Sequence, residues 1–308
     1  MGDRFKIDPA YRQRLNEAGL DGVGRVLQRL SVEGVAGEGE TSQSQCVRTG
    51  EPGGSHCVRF DVNGHRQYPA LSVKCFRYPT LRVRLNFLGR CFFGRSRAKR
   101  EFRRLRIMRK LGIQSARPLA LGERRCWGLL TDCFLVTEGV PASDSLRDFA
   151  VRYFHKAASP RGRELKRAMM AQLADQIRQM HDKHFFHGEL TWDNILIRPT
   201  PSGAFEFFFI NALRGRRVLA PWKWRRLGGR DLAGIDAVPD EFLTRADKIR
   251  FMNRYLQRDE LNAKDRDWMI QIRKISLELF ASLSTYRSAR PADRPSPDSQ
   301  QVQPSVHH

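Results

Sequence analysis

The hydrophobic period of this chain changes once, near residue 140, and that switch restricts the folds open to it. Between Cys46 and Val140 the apolar residues fall in short extended runs: Cys57–Val62, Tyr68–Phe76, Leu119–Leu121, Trp127–Leu130 and Cys133–Thr137. One helix interrupts them, from Ser96 to Leu111, where Phe102, Leu105, Met108 and Leu111 recur every third position and Gly112 stops the run. From Ser145 onward the spacing is helical. Ser145 and Asp148 have the pattern of a capping box, with Leu146, Phe149 and Tyr153 on one face. Leu165, Met169, Leu173, Ile177 and Met180 follow at helical intervals. Thr244–Leu256 and Asp265–Phe280 read as further helices, the second striped by Trp268, Ile272, Ile275 and Leu279.

The expected architecture is therefore a β-rich lobe over 44–140 with one helix, then an α-rich lobe over 141–287. A helix from Pro9 to Leu30 and a Gly- and Glu-rich linker occupy 1–43. The Pro-, Ser- and Gln-rich tail over 288–308 is expected to be disordered. At 308 residues with 41% hydrophobic content, the chain can bury a real core.

Charge narrows the partners. With 55 Lys and Arg against 33 Asp and Glu the net charge is +22, which favours nucleic acid, an acidic membrane surface or a phosphorylated substrate. The excess is concentrated. Arg77 to Lys110 holds thirteen cations and one acid, Glu101, and Arg214 to Arg230 holds seven cations and no acid. These stretches are where an anionic partner is expected. Beyond charge there is no recognisable RNA- or DNA-binding signature, which argues against nucleic acid. The six cysteines lack a CxxC pair, so reduced thiols are expected rather than a zinc site. The opening MGDRFKIDPAYRQRL has no apolar core of signal-peptide type, and no apolar run approaches a bilayer span, so a cytoplasmic protein is expected.

The sharpest local signal is His187-Gly188-Glu189-Leu190-Thr191-Trp192-Asp193-Asn194, directly after a helix and before apolar Ile195, Leu196 and Ile197. It has the spacing of a kinase catalytic loop. One turn must present a carboxylate to an acceptor hydroxyl while an amide oxygen five positions on reaches a metal at the nucleotide phosphates. Lys74 ends an extended segment, where a kinase places its phosphate-pairing lysine. Glu101 lies in the next helix, where a kinase places the glutamate that orients that lysine. The other reading of Glu101, an intrahelical pair with Arg97 or Arg104, stays open. Phe134-Leu-Val-Thr-Glu138-Gly-Val140 reads as a strand entering a hinge whose backbone at Glu138 and Val140 would meet an adenine edge.

These segments, with Gly112-Ile-Gln-Ser-Ala-Arg-Pro118, Phe208-Phe-Ile-Asn211-Ala-Leu-Arg214 and Arg230-Asp231, occur in the order seen in the lipopolysaccharide kinase (Kdo/WaaP) family, which the chain resembles over roughly 55 to 280. The resemblance implies a bilobal protein-kinase-like α+β fold and an enzyme that uses ATP and magnesium (Mg2+) to phosphorylate a heptose or Kdo sugar. It implies a lipopolysaccharide core or other anionic glycolipid as partner, and peripheral contact with the anionic inner face of the inner membrane. By the same resemblance, Lys74 and Glu101 serve the nucleotide and Glu189 is the base. His187 and Asp231 order the loop, and Asn194 and Asn211 hold the metal.

Two positions depart from the family pattern. Glu189 stands where aspartate is expected, one methylene longer, and Asn211 stands where a metal-binding aspartate is expected. Glu189 itself reaching the metal is one way to make up the charge. The Gly-bearing stretch Thr49–Ser55 lacks the usual phosphate-loop spacing, and a generic turn there remains open. The apolar residues among the arginines of 76–93 would suit a basic hairpin on a lipid surface or an extra hairpin packed on the small lobe. A pseudokinase that binds nucleotide without turnover is the second reading, and a basic nucleic-acid-binding protein the third.

Overall fold

A computed structural model of the chain describes residues 2–33, 47–51, 55–62, 69–85, 96–154, 160–239 and 242–288. The small lobe is a six-stranded antiparallel sheet. Its strands are β1 (Gly2–Ile7), β2 (Val47–Glu51), β3 (Ser55–Val62), β4 (Leu71–Arg77), β5 (Pro118–Cys126) and β6 (Leu129–Glu138), in the order β1-β5-β6-β4-β3-β2. Period-two alternation splits each central strand between two cores. Cys133 and Leu135 of β6 face the helix Arg97–Lys110, whereas Phe134 and Val136 face the opposite side.

That opposite side is covered by the N-terminal segment, where the structure corrects the expectation of one helix from Pro9 to Leu30. Residues 2–7 form the edge strand β1, paired to β5 from Gly2↔Arg125 to Ile7↔Ala120. A 3-10 turn at Pro9–Tyr11, α1 (Arg12–Glu17) and α2 (Val23–Glu33) follow. The break falls at Gly19, whose φ of +67° is left-handed and ends α1 cheaply only because glycine has no Cβ. Leu15, Leu20, Val23, Val26 and Leu27 then seal Val73, Cys75, Phe134 and Val136. Residues 2–29 thus pack as part of the small lobe.

α3 (Arg97–Lys110) is capped by Ser96, whose Oγ accepts from the Lys99 N–H at 3.1 Å, and buries Ala98, Phe102, Leu105 and Met108 on the sheet. Before it, residues 81–85 make a helical turn rather than a strand, with Leu81 and Leu85 exposed. The rest of the expected basic hairpin, 86–93, lies outside the described residues, as do residues 52–54 of the Gly-bearing stretch. Trp127 and Gly128 form the β5–β6 turn, so the expected strand Trp127–Leu130 is replaced by a longer β6.

The large lobe contains β7 (Asp144–Ser145), α4 (Leu146–Phe154), α5 (Pro160–Asp182), β8 (Phe185–Phe186), β9 (Ile195–Pro199), β10 (Phe205–Phe209) and β11 (Arg216–Arg217). It closes with α6 (Trp224–Asp236), α7 (Arg245–Leu256) and α8 (Ala263–Ser288). α5 is its axis, burying Met169, Leu173, Ile177 and Met180, but Leu165 of the expected stripe is exposed and Met170 and Ala174 are buried instead. Tyr153 likewise lies outside the core, and Phe154 is inside. Thr244 and Asp247 form a full capping box on α7. Cys75, Cys126 and Cys133 are thiols rather than disulfides, and burial pushes the Cys133 thiol up to about 12. The expected tail beyond residue 288 lies outside the described residues. Among the described residues no helix is long and apolar enough to cross a membrane.

Candidate active site

Because Val73 and Cys75 face the N-terminal helices, Lys74 between them faces α3. Glu101 lies one turn into that helix and is 2% exposed, and its Oε2 meets Lys74 Nζ at 3.2 Å. A carboxylate buried this deeply needs a cation, and its ion pair is with Lys74 of the sheet beneath rather than with Arg97 or Arg104 of its own helix. The lysine also donates to Asn211 Oδ1 at 3.4 Å, which joins the two lobes.

The large-lobe half is made by one hairpin. β9 and β10 pair antiparallel with Ile195 opposite Phe209, so the chain enters β9 and leaves β10 at the same end. Asn194 and Asn211 therefore emerge side by side. Asn211 Nδ2 donates to Asn194 Oδ1 at 2.7 Å, and Asn194 Nδ2 donates to the Glu189 carbonyl at 2.8 Å. Asn211 has φ +59°, a left-handed conformation that asparagine adopts more readily than most residues.

The loop 187–189 is held from behind. Asp231 on α6 is wholly buried, and its carboxylate accepts the backbone N–H groups of His187 and Gly188, each at 2.7 Å. His181 supports it, with Nε2 3.2 Å from Asp231 and Nδ1 2.7 Å from the Tyr255 hydroxyl. Burial raises the Tyr255 pKa, so the phenol keeps its proton at this contact. Gly188 has φ +79°, and a Cβ there would meet the Arg214 carbonyl at 2.9 Å. His187 donates from Nε2 to the Ile210 carbonyl at 2.9 Å, tying the loop to the residue before Asn211. Burial lowers its pKa, so it is the neutral imidazole.

Three expected residues depart from this cluster. The Glu189 side chain turns to Arg214, its Oε1 2.8 Å from Nε, rather than toward the asparagines. Glu138 directs its carboxylate to Arg14 at 2.7 Å, and its backbone N–H to the Arg117 carbonyl at 2.8 Å. Its neighbour Gly139 donates to the Ala70 carbonyl at 2.7 Å. The Val140 carbonyl accepts from the Ser143 hydroxyl at 2.7 Å. Thr137, Glu138, Gly139 and Val140 do line the cleft above Lys74, but its cavity is only about 50 Å³. A larger one, about 1050 Å³, lies among α6, α7 and α8 and contains none of these groups.

Sequence reasoning missed Arg214, His181, Tyr255 and Arg14. Arg214 stood in plain view within the basic stretch, but nothing local marked its partner. The cleft mouth is strongly positive: Arg104 on α3 is partly buried near Arg100 and Arg216, and this burial and repulsion lower its pKa.

Comparison with known proteins gives the same direction. The family model described as "Lipopolysaccharide kinase (Kdo/WaaP) family" matches residues 44–255. A lipopolysaccharide core heptose(I) kinase WaaP of Pseudomonas aeruginosa is 28% identical over 166 residues, covering 52% of this chain and 60% of that protein. The chain thus matches somewhat less than two thirds of that relative's length. An Escherichia coli protein of the same description is 27% identical over 203 residues, 64% of this chain and 73% of its own. A solved structure, "WaaP in complex with acyl carrier protein", superposes with a TM-score of 0.58 at 20% identity, over 90% of this chain and 99% of that one, a likeness of fold.

Proposed function

The chain belongs to the lipopolysaccharide kinase (Kdo/WaaP) family, and from that premise we propose that it is an ATP-dependent kinase for a heptose or Kdo sugar of the lipopolysaccharide inner core. The observation that carries the reading is the contact of Lys74 Nζ with both Glu101 and Asn211, beside Asn194. Lys74 and Glu101 of the small lobe meet there with Asn194 and Asn211 from one hairpin of the large lobe, a set of groups that supports phosphoryl transfer.

In this reading Lys74 receives the nucleotide phosphates, with Glu101 fixing its direction. Thr137 to Val140 border the base. Asp231, through the N–H groups of His187 and Gly188, and His187, through Ile210, hold the loop that carries Glu189. Glu189 accepts the acceptor hydroxyl proton once its carboxylate leaves Arg214. A magnesium ion carried by the nucleotide takes most of its ligands from phosphate and water and ordinarily one or two from protein carboxylates, in place of which Asn194 and Asn211 offer amide oxygens. Asn194 and Asn211 would hold it. When bound, the ion supplies charge neutralisation across the phosphate oxygens. Asn211 contributes no charge of its own, so the metal requirement should be high. The acceptor is a glycolipid at the cytoplasmic face of an anionic membrane. The solved neighbour's complex also makes an acyl carrier protein a candidate partner.

The pseudokinase reading draws on two observations: Glu189 is held by Arg214, and position 211 has no carboxylate. One assay separates the two readings. Magnesium-dependent ATP turnover is measured with and without lipopolysaccharide core, for the natural chain, Lys74→Ala and Asn211→Asp. Acceptor-stimulated turnover that Lys74→Ala abolishes supports the kinase. Nucleotide binding without product, with turnover appearing only in Asn211→Asp, supports the pseudokinase.

A further inference from the structure

The segment between β11 and α6 leaves two large apolar side chains in water, Leu219 at 65% and Trp222 at 79% exposure. The helix packing explains neither. Trp224, two residues on, turns inward against Tyr255 and Trp268, while Trp222 sits in a 3-10 turn (Pro221–Lys223) that aims it outward. Around them all seven cations of the stretch are exposed. Arg214 pairs with Glu189, and Arg225 with Asp265. Arg216, Arg217, Lys223, Arg226 and Arg230 form no ion pair among the described residues.

A surface of unpaired cations serves any polyanion, and a lone tryptophan could stack a nucleic-acid base, but an exposed leucine beside it offers no stacking face and instead asks for an apolar medium. Tryptophan at the tip of a basic surface suits the headgroup boundary of a bilayer, where the ring is half solvated and the cations meet lipid phosphates. We propose that the segment 214–230 is a membrane-docking face, with Leu219 and Trp222 entering the boundary of an anionic bilayer and Arg216, Arg217, Lys223, Arg226 and Arg230 contacting its headgroups. The face is continuous with the candidate active site, because Arg214 at its start touches Glu189 and β11 pairs with β8 immediately before His187. Docking there would bring Glu189 to sugars displayed at the lipid surface. This consequence rests on the kinase reading, whereas the docking face itself rests on exposure and charge.

The test is flotation of the purified full chain with phosphatidylglycerol-containing vesicles and with phosphatidylcholine vesicles. Quenching of tryptophan fluorescence by brominated lipid is read in parallel. The chain should float with the anionic vesicles only, less as salt rises. Arg217→Gln/Lys223→Gln/Arg226→Gln should weaken binding on the order of 100-fold, at roughly fivefold per cation. Leu219→Ser/Trp222→Ser should also abolish flotation, with thermal unfolding unchanged because neither side chain is in the core. Quenching should vanish in Trp222→Phe and persist in Trp127→Phe, the other strongly exposed tryptophan at 95%. Flotation indifferent to Leu219 and Trp222, or quenching that follows Trp127, overturns the proposal. So does binding to RNA or to an acidic protein in place of vesicles. A protein that floats but transfers no phosphoryl group overturns the kinase reading alone.

Discussion

His187 shows what burial does to a titratable group at the centre of a site. Desolvation outweighs the attraction of Asp231 and the Ile210 carbonyl, and its pKa lies below the ordinary histidine value. A depressed folded-state pKa means that the unfolded chain takes up the proton first on acidification. The stability it contributes is complete above an unfolded value of about 6.5 and is lost as pH falls below it. Thermal denaturation should therefore show a steeper loss of Tm from about pH 7.5 to about pH 5.5 in the natural chain than in His187→Asn, which starts lower but runs flatter. Glu101 makes a different demand. Its carboxylate is the fixed partner that directs Lys74, so Glu101→Gln should keep the fold by circular dichroism. It should lower acceptor-dependent turnover on the order of 100-fold, the usual cost of about 1 Å of misplacement at a reacting group.

Elements carry the site through close packing. α6 approaches the loop so nearly that a Cβ on Gly234 would lie 2.1 Å from the Leu190 carbonyl, a backbone atom that cannot step aside. Gly234→Ala should push α6, and Asp231 with it, away from His187 and Gly188. The expected result is a loss of about 1–3 kcal/mol in urea unfolding together with a disproportionate fall in turnover. α7 depends on Asp247, which closes the capping box with Thr244 and meets Lys166 of α5 at 2.7 Å. Burial opposes ionisation of that carboxylate, but bonds from Lys166, Arg250 and Thr244 prevail and hold it well below the usual range. Asp247→Ala leaves the buried Lys166 ammonium without a counter-charge, hydrogen-bonded only to the Phe242 carbonyl among the described residues, and should cost about 3–5 kcal/mol, read by the same urea titration, with Asp247→Asn losing less. The N-terminal elements act in the same way on the small lobe: Arg14 of α1 bridges Glu138 at the hinge and the Pro69 carbonyl before β4.

For the whole molecule the relation of the two lobes decides access. A cleft cavity of about 50 Å³ among the described residues is far below the roughly 300–1,000 Å³ of ordinary ligand pockets, so in the proposed kinase reading a nucleotide would require the lobes to part. Lys74–Asn211 is a contact that such opening must stretch. ATP with magnesium at about a hundredfold its Kd should add about 2.7 kcal/mol to stability and raise Tm by several degrees, a shift that Lys74→Ala loses. The net charge of +22 acts at this scale too, because much of it is concentrated in two stretches, Arg77 to Lys110 on the small lobe and Arg214 to Arg230 on the large lobe.

What the sequence determined by itself were the features written in local period and spacing. The alternation of Cys133 to Val136, the stripe on α5, the loop from His187 to Asn194 and the placement of Lys74 and Glu101 on a strand and the next helix are all of this kind. Even the strand Gly2–Ile7 left a trace in the alternation of Phe5 and Ile7, too short to separate from chance. Only the tertiary structure decided which charge meets which. Arg14 and Glu138 are 124 residues apart, and Tyr255 lies 74 residues beyond the histidine it serves. The pairing of Glu189 with Arg214 was equally invisible, although the two lie in one stretch of chain. The physical reason is that periodicity records which face of an element is dry, and this is set by its own residues. Polar pairing is set by where the fold brings separate elements to rest.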